Sequence, residues 1–368
     1  MHYQILARKW RPQLFKDVIG QKYIVTAISN SLILNRIHHS WLFYGMQGTG
    51  KTTLARLLAK SLNCKLKISP NPCRKCSNCL EIEQGNFIDL HEIDGASKTK
   101  VEDIKELLEN IPYRPTKGRF KIYLIDEVHM LSRHSFNALL KTIEEPPKHI
   151  KFILATTNLK KIPDSILSRC LYFQLKPINF KKIFLHISNI LNQENILYEK
   201  KAIMLISQHA NGSLREAITL IEQIISISNN NITEKIVKCT LNISNNDIIL
   251  EIFMTIINQN IKTFSLLLDK ISTSNINWEN ILIEILKALH YISMFQINPE
   301  IKSQSFYSKK NTKQIEEISN SLNHQSIYSY YKIALQGKKE LSITPNQKMS
   351  VEMTLLRMLN LNTTLLHA

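Results

Sequence analysis

Gly45-Met46-Gln47-Gly48-Thr49-Gly50-Lys51-Thr52-Thr53 reads G-x-x-G-x-G-K-T, a phosphate-binding loop with one additional internal glycine. The apolar run before it, Trp41-Leu42-Phe43-Tyr44, predicts a buried strand. After it, Leu54, Leu57, Leu58 and Leu62 recur at helical spacing and set one apolar stripe on a helix. Strand, glycine-rich loop and helix in that order turn backbone N–H groups and the positive end of a helix dipole toward one point, where a polyphosphate fits. In that frame Lys51 reaches the β- and γ-phosphates, and the Thr52 hydroxyl ligates Mg²⁺.

Downstream, Lys121-Ile122-Tyr123-Leu124-Ile125 predicts a buried strand ending in Asp126-Glu127-Val128-His129. An acidic pair at the carboxyl end of a strand parallel to the P-loop strand is the Walker B arrangement. Asp126 then orients Mg²⁺ and Glu127 polarises the attacking water. Ser132 caps a helix with Phe136, Leu139, Leu140 and Ile143 inward, stopped by Pro146-Pro147. Phe152-Ile153-Leu154-Ala155 predicts another buried strand with a polar tip, Thr156-Thr157-Asn158. That tip suits a place between the acidic pair and the γ-phosphate, although on its own a threonine ending a strand is the simpler reading. Pro163–Cys170 predicts a short helix ahead of a strand-like Leu171-Tyr172-Phe173. Composition makes Arg169 an ordinary surface arginine; its place at a helix end also lets it reach a neighbouring subunit.

Four of the six cysteines, Cys64, Cys73, Cys76 and Cys79, are spaced C-x8-C-x2-C-x2-C. Four thiolates suit tetrahedral Zn²⁺ in a compact knuckle, and nothing nearby supplies an open coordination position, so the metal is expected to be structural. Phe87–Asp94 then predicts a strand. The capping box Thr99-x-x-Glu102 opens a helix through Val101, Ile104, Leu107 and Leu108. Lys98 and Lys100 stand at that helix start, where a cation opposes the dipole; they are either solvated, the simpler reading, or facing an anion.

Residues 4–20 are too irregular for a clean helix, and Trp10, Arg11, Pro12, Val18 and Ile19 read as core filler or as an adenine-stacking pocket. A helix follows through Ile24, Ile28, Leu32 and Leu34. Beyond Pro177 the pattern is helical throughout. Ser213-x-x-Glu216 forms a second capping box ahead of an inward stripe of Leu214, Ile218, Ile221 and Ile225. Arg215 falls off that stripe at the helix start, where a nucleotide phosphate best explains it. Segments 247–258, 278–295 and 349–360 keep helical spacing, with no catalytic constellation among them.

The chain has 368 residues and a formal net charge of +17, which suits an acidic partner such as nucleic acid. The Lys-, Asn- and Ile-rich composition that produces this charge is also what AT-rich codons favour. No apolar run reaches the roughly 18 residues of a membrane span, and Met1-His2-Tyr3-Gln4 has no signal-peptide pattern, so a cytoplasmic protein is expected.

Taken together, these residues resemble the tau/gamma ATPase subunits of the bacterial DNA polymerase III clamp loader, within the AAA+ superfamily. The resemblance runs over essentially the whole chain. It rests on Leu6-Ala7-Arg8-Lys9-Trp10-Arg11-Pro12, the P-loop, the cysteine knuckle, Leu124–Ser132, Ala155-Thr156-Thr157, Ser168-Arg169-Cys170 and Gly212-Ser213-Leu214-Arg215. It implies an α/β fold in which an AAA+ domain with a parallel sheet and a zinc-knuckle insertion spans 1–178. A helical lid would span 179–241 and an all-α oligomerisation collar 242–368. It further implies that Thr157 is the sensor 1 residue, Arg215 sensor 2, and Arg169 an arginine finger acting on ATP held by an adjacent subunit. The implied partners are the loader subunits delta and delta-prime, the beta sliding clamp and primer–template DNA, with Lys98, Lys100, Lys141 and Lys161 as candidate phosphate contacts.

Two departures from the family pattern stand out. Met46-Gln47 occupy positions where the family often carries an arginine beside Gly48. The chain also ends soon after the collar, without the long segments through which tau forms bind helicase and polymerase, so a gamma-like short form is expected. A branch-migration motor of the same superfamily has no use for a zinc knuckle. An inactive scaffold has no need of intact Lys51, Thr52, Asp126 and Glu127.

Overall fold

Trp41, Leu42 and Phe43 are fully enclosed because their strand, β1 (Ser40–Gly45), runs through the interior of a sheet. The structure is a computed structural model and describes residues 5–97, 109–228, 230–241, 246–273, 278–298 and 309–365. The chain divides into two compact units, 1–234 and 235–368.

In the first unit β1 joins β2 (Leu90–Asp94), β3 (Lys121–Asp126), β4 (Ile150–Thr156) and β5 (Leu171–Leu175) in the order 2-3-4-1-5. Every pairing is parallel. Parallel strands are covered on both faces, which is why these segments read as continuous apolar runs. Trp41, Phe43, Ile122, Leu124 and Ile153 pack on one side with the helices Lys22–Ile33 and Lys51–Asn63. Leu42, Tyr123, Ile125, Phe152 and Leu154 pack on the other with the helix Arg133–Glu144. Because β4 lies between β1 and β3, its tip at Thr156 opens beside both the P-loop and Asp126.

Three expectations shift. The strand foreseen over 87–94 begins only at Leu90, because Phe87 turns into the core and its carbonyl accepts the Leu90 N–H at 3.1 Å. Leu34 falls past the end of its helix and is exposed. In the helix Leu214–Ser228 the fully buried position is Ile224 rather than Ile225. The Thr99–Glu102 capping box, its helix and Lys98 and Lys100 lie outside the described residues.

The helices Phe180–Gln193, Lys200–His209 and Leu214–Ser228 complete this unit together with a two-stranded parallel sheet of Leu197–Tyr198 and Asn231–Ile232, so the stretch beyond Pro177 is not helical throughout. The amino-terminal segment clasps them: Glu194 takes the Lys9 ammonium at 2.6 Å and the Trp10 indole N–H at 2.8 Å, and Glu222 takes the Leu6 backbone N–H at 3.1 Å.

The second unit is helical among its described residues. Asn246–Ile257, Trp278–Ile297 and Gln347–Leu365 coincide with the segments legible by periodicity. Ile261–Thr273, Lys309–Ser321 and His324–Glu340 are further helices. Phe253, Ile285, Leu289, Ile292, Tyr330 and Leu355 form one core.

Burial, aided by neighbouring cations, holds His39 (beside His38 and Lys151) and His91 (beside Lys121) below the usual imidazole range, with Asp89 opposing weakly at His91. Burial alone does the same to His186. The unfolded chain therefore takes up more protons than the fold once pH drops below about 6.5, the ordinary histidine value. Stability is expected to be full above pH 7 and to fall between pH 6.5 and 5, before the lowered Glu194 and Glu340 carboxylates begin to protonate. Urea midpoints measured from pH 8 to pH 5 check this, and His186→Leu flattens the descent.

Candidate functional site

The site forms where the P-loop, the β3 tip and the β4 tip meet. Gly45, Gly48 and Gly50 adopt φ of +149°, +76° and +105°, conformations that let the loop coil with its N–H groups inward. Gly50 is the N-cap of the helix Lys51–Asn63, so the positive end of that helix faces into the coil. The buried Lys51 ammonium donates to the carbonyls of Gly45 at 2.9 Å and Met46 at 3.0 Å. Burial lowers its pKa, with Glu127 and Asp126 pulling the other way. Those two carbonyls hold the lysine in the loop where an anion's oxygens would otherwise receive it.

The Thr52 hydroxyl donates to Asp126 Oδ2 at 2.6 Å, and the Glu127 N–H donates to Asp126 Oδ1 at 3.0 Å. The two residues expected to hold Mg²⁺ therefore touch, and their oxygens fit a hard cation. Glu127 sits at φ +45°, ψ +45°, a strained conformation for a glutamate and one found where side chains are aimed for function. Its Oε2 accepts from the Thr157 N–H and hydroxyl, each at 3.0 Å, and lies 3.2 Å from His129 Nδ1. Thr157 thus meets the acidic pair directly. His129, which also contacts the Thr156 hydroxyl at 3.0 Å, has a place in the site that the sequence did not single out. The only signal was its position in Asp-Glu-Val-His.

From the other side Ser213, Leu214 and Arg215 close over the loop. The Leu214 N–H donates to the Gly48 carbonyl at 3.1 Å, and Ser213 Oγ takes the Glu216 N–H at 3.2 Å, one half of the foreseen capping box. Arg215 leaves this helix start exposed beside Gly48. Gln47 and Thr53 flank the loop, and Thr49 Oγ1 closes it on the Met46 carbonyl at 2.8 Å. Arg169 lies elsewhere in this unit, paired with Glu144 at 2.9 Å, and joins none of these groups.

The segment before the sheet is divided. Trp10, Arg11, Pro12 and Ile19 line a cleft of about 560 Å³ whose other walls include Arg74, Leu185, His186 and Asn189, with no P-loop residue among them. Val18 packs instead on the core.

Cys64, Cys73, Cys76 and Cys79 bring their sulfurs within 4.8 Å of one another. Four sulfurs on a zinc ion are about 3.8 Å apart, and Cys73 and Cys79 already lie at 4.0 Å. The Cys73 N–H points at Cys64 Sγ (3.5 Å) and the Cys76 N–H at Cys73 Sγ (3.4 Å), the donors that steady a knuckle's thiolates. The cluster fits a tetrahedral thiophilic cation.

Family models cover the chain in succession. "DNA polymerase III, delta subunit" matches residues 20–179, the clamp-loader ATPase lid domain matches 182–230, and "subunits gamma and tau domain III" matches 232–365. The chain is 67% identical over 364 residues to the DNA polymerase III subunit gamma of Buchnera aphidicola subsp. Baizongia pistaciae, covering 99% of this chain and 98% of that one. It is 48% identical to the tau subunit of Escherichia coli K12, covering 98% of this chain and 56% of tau. Among solved structures, the RuvB branch-migration motor of Thermotoga maritima aligns with 67% of this chain and 79% of its own at TM-score 0.47 and 22% identity.

A Cβ at Gly48 would meet Ser213 Oγ at 2.0 Å, whereas one at Gly50 meets nothing within 4 Å. Gly50→Ala is therefore expected to cost only its left-handed strain, about 1–2 kcal/mol. Gly48→Ala adds the clash and loosens the lid from the loop. Thermal midpoints of both variants, with Gly48→Ala the lower by several degrees, test this seam.

Proposed function

The chain belongs to the gamma/tau subunit family of DNA polymerase III clamp loaders, and from that membership we infer that its P-loop site hydrolyses ATP to open a sliding clamp and set it on primer–template DNA. The Thr52–Asp126 hydrogen bond, at 2.6 Å, carries this reading, because it joins the P-loop to the Walker B strand at the point where Mg²⁺ binds.

In this proposal Gly45–Thr53 cradle the triphosphate and Lys51 leaves the Gly45 and Met46 carbonyls for its outer oxygens. Thr52 and Asp126 hold Mg²⁺, which neutralises charge developing on the phosphates. Glu127 orients the attacking water. Thr157 senses the γ-phosphate through the Glu127 carboxylate it now holds. Arg215 reaches the nucleotide from the lid. Arg169 completes the site of a neighbouring subunit rather than its own, which its contacts to Ser165, Ser168 and Glu144 instead of the P-loop support. The division is then an AAA+ domain over 1–178, a lid over 179–241 and a collar over 242–368. Tyr328, Met349 and Met353, exposed on the second unit, support assembly through that collar.

The four-cysteine cluster is proposed to hold one structural Zn²⁺ per chain. The partners that follow are delta, delta-prime, the beta clamp and primed DNA. Exposed Lys141 and Lys161 are candidates to meet the DNA backbone. No helix among the described residues is long and apolar enough to cross a membrane, which is compatible with work on the chromosome in the cytoplasm.

ATP turnover by the assembled loader is expected to rise with clamp and primed DNA, and Lys51→Ala should abolish it while the subunits still assemble. Full turnover by Lys51→Ala would leave only a scaffold. Elemental analysis should find one zinc per chain, lost in Cys76→Ser.

A further inference from the structure

We propose that Glu144 is the positioning residue of Arg169, fixing the guanidinium in the orientation in which it enters a neighbour's ATP site. This rests on the reading of Arg169 as a finger acting between subunits.

Three contacts hold the arginine. Its Nη1 donates to the Ser165 carbonyl at 2.8 Å and to Ser168 Oγ at 3.1 Å, and its Nη2 meets Glu144 Oε1 at 2.9 Å. The two backbones are anchored from beneath. Ile143 beside Glu144 and Cys170 beside Arg169 are buried in the same core cluster, together with Ile166 of the helix Asp164–Leu167. Only the charged ends face outward, at 39% exposure for Arg169 and 46% for Glu144.

Glu144 is electrostatically misplaced unless it has this task. It is the last residue of the helix Arg133–Glu144, where the dipole's negative end disfavours a carboxylate. An exposed ion pair also contributes too little to explain it through stability. It is enough to select a rotamer. A bias of up to about five-fold toward one orientation is what a pair of this exposure supplies, and a long arginine otherwise spends its time in many rotamers. The three contacts leave Nε–H and one further N–H to take phosphate oxygens, since a guanidinium carries five donors. Holding the side chain in place before docking reduces the ordering needed when it reaches the transition state.

The test is steady-state ATPase of the assembled loader with clamp and primed DNA, every copy of this chain carrying the substitution. Glu144→Gln keeps the shape, removes the charge, and is expected to lower kcat three- to five-fold with KM for ATP and the thermal midpoint unchanged. Glu144→Asp should recover part of the loss. In an Arg169→Ala background Glu144→Gln should add nothing. An unchanged or raised kcat in Glu144→Gln, or a further loss on top of Arg169→Ala, overturns the proposal. If Arg169→Ala abolishes turnover while Glu144→Gln leaves kcat unchanged, only the role of Glu144 falls. If Arg169→Ala itself leaves kcat intact, the finger reading falls and this inference with it.

Discussion

The bond between Thr52 and Asp126 is the constraint on which the site depends. These residues belong to strands and helices far apart in sequence, and β1 and β3 are not neighbours in the sheet. They meet because β4 fills the gap in register with both, Tyr44 opposite Thr156 and Ile125 opposite Leu154, and brings the strands' carboxyl ends to one level. A slip of β3 by one residue would reverse its faces and set the Asp126 carboxylate where Ile125 is now buried. The fully enclosed apolar runs that prevent the slip therefore also fix the 2.6 Å contact. Core packing and site geometry are a single requirement here.

Above that bond, the distribution of donors decides what the resting site can do. Glu127 gives one carboxylate oxygen to Thr157 and His129 and so is turned toward the β4 tip rather than left free beside the loop. Lys51 is likewise occupied by loop carbonyls. Lys51 is held by uncharged carbonyls whose place a ligand's oxygens can take, whereas Glu127 also has the His129 imidazole at 3.2 Å. Such a site folds without nucleotide yet keeps its polar groups in reach of one.

The sequence exposed this centre well and its surroundings less so. Lys51, Thr52, Asp126 and Glu127 were legible because each chemistry demands a residue type at a fixed place on a strand or loop. The cysteine cluster was legible for the same reason, four thiols within sixteen residues having few other uses. Arg215 was legible from its place at a helix start off the apolar stripe, whereas Thr157 needed the family resemblance, since a threonine ending a strand carries no signature of its own. Glu144 was invisible: its meaning comes from Arg169, twenty-five residues later, and from the packing of Ile143 and Ile166 that joins the two helices. Helix periodicity bounded three of the second unit's described helices, while Ile261–Thr273, Lys309–Ser321 and His324–Glu340 fall in the stretch it read as helical without placing their ends.

The knuckle and the phosphate loop occupy two ends of the same element. Lys51 begins the helix and Cys64 follows its last residue, Asn63, so thirteen residue steps lead from the lysine to the first cysteine of the cluster. That is a rigid span of about 20 Å at 1.5 Å per residue. Between them Lys60, 2% exposed, donates to the Gln13 carbonyl at 3.1 Å, to Gln13 Oε1 at 2.7 Å and to Glu83 Oε1 at 2.6 Å. All three donors of its ammonium are used, and two of the acceptors come from the amino-terminal segment while the third comes from the knuckle helix Ser77–Gln84. Burial disfavours this charge, with Glu83 offsetting it, and removing Glu83 would leave a buried cation without its counter-charge. A cysteine module on the surface is therefore tied to the same helix that presents Lys51. It braces that helix at the end farthest from the nucleotide, where a brace can fix the helix without occupying the site.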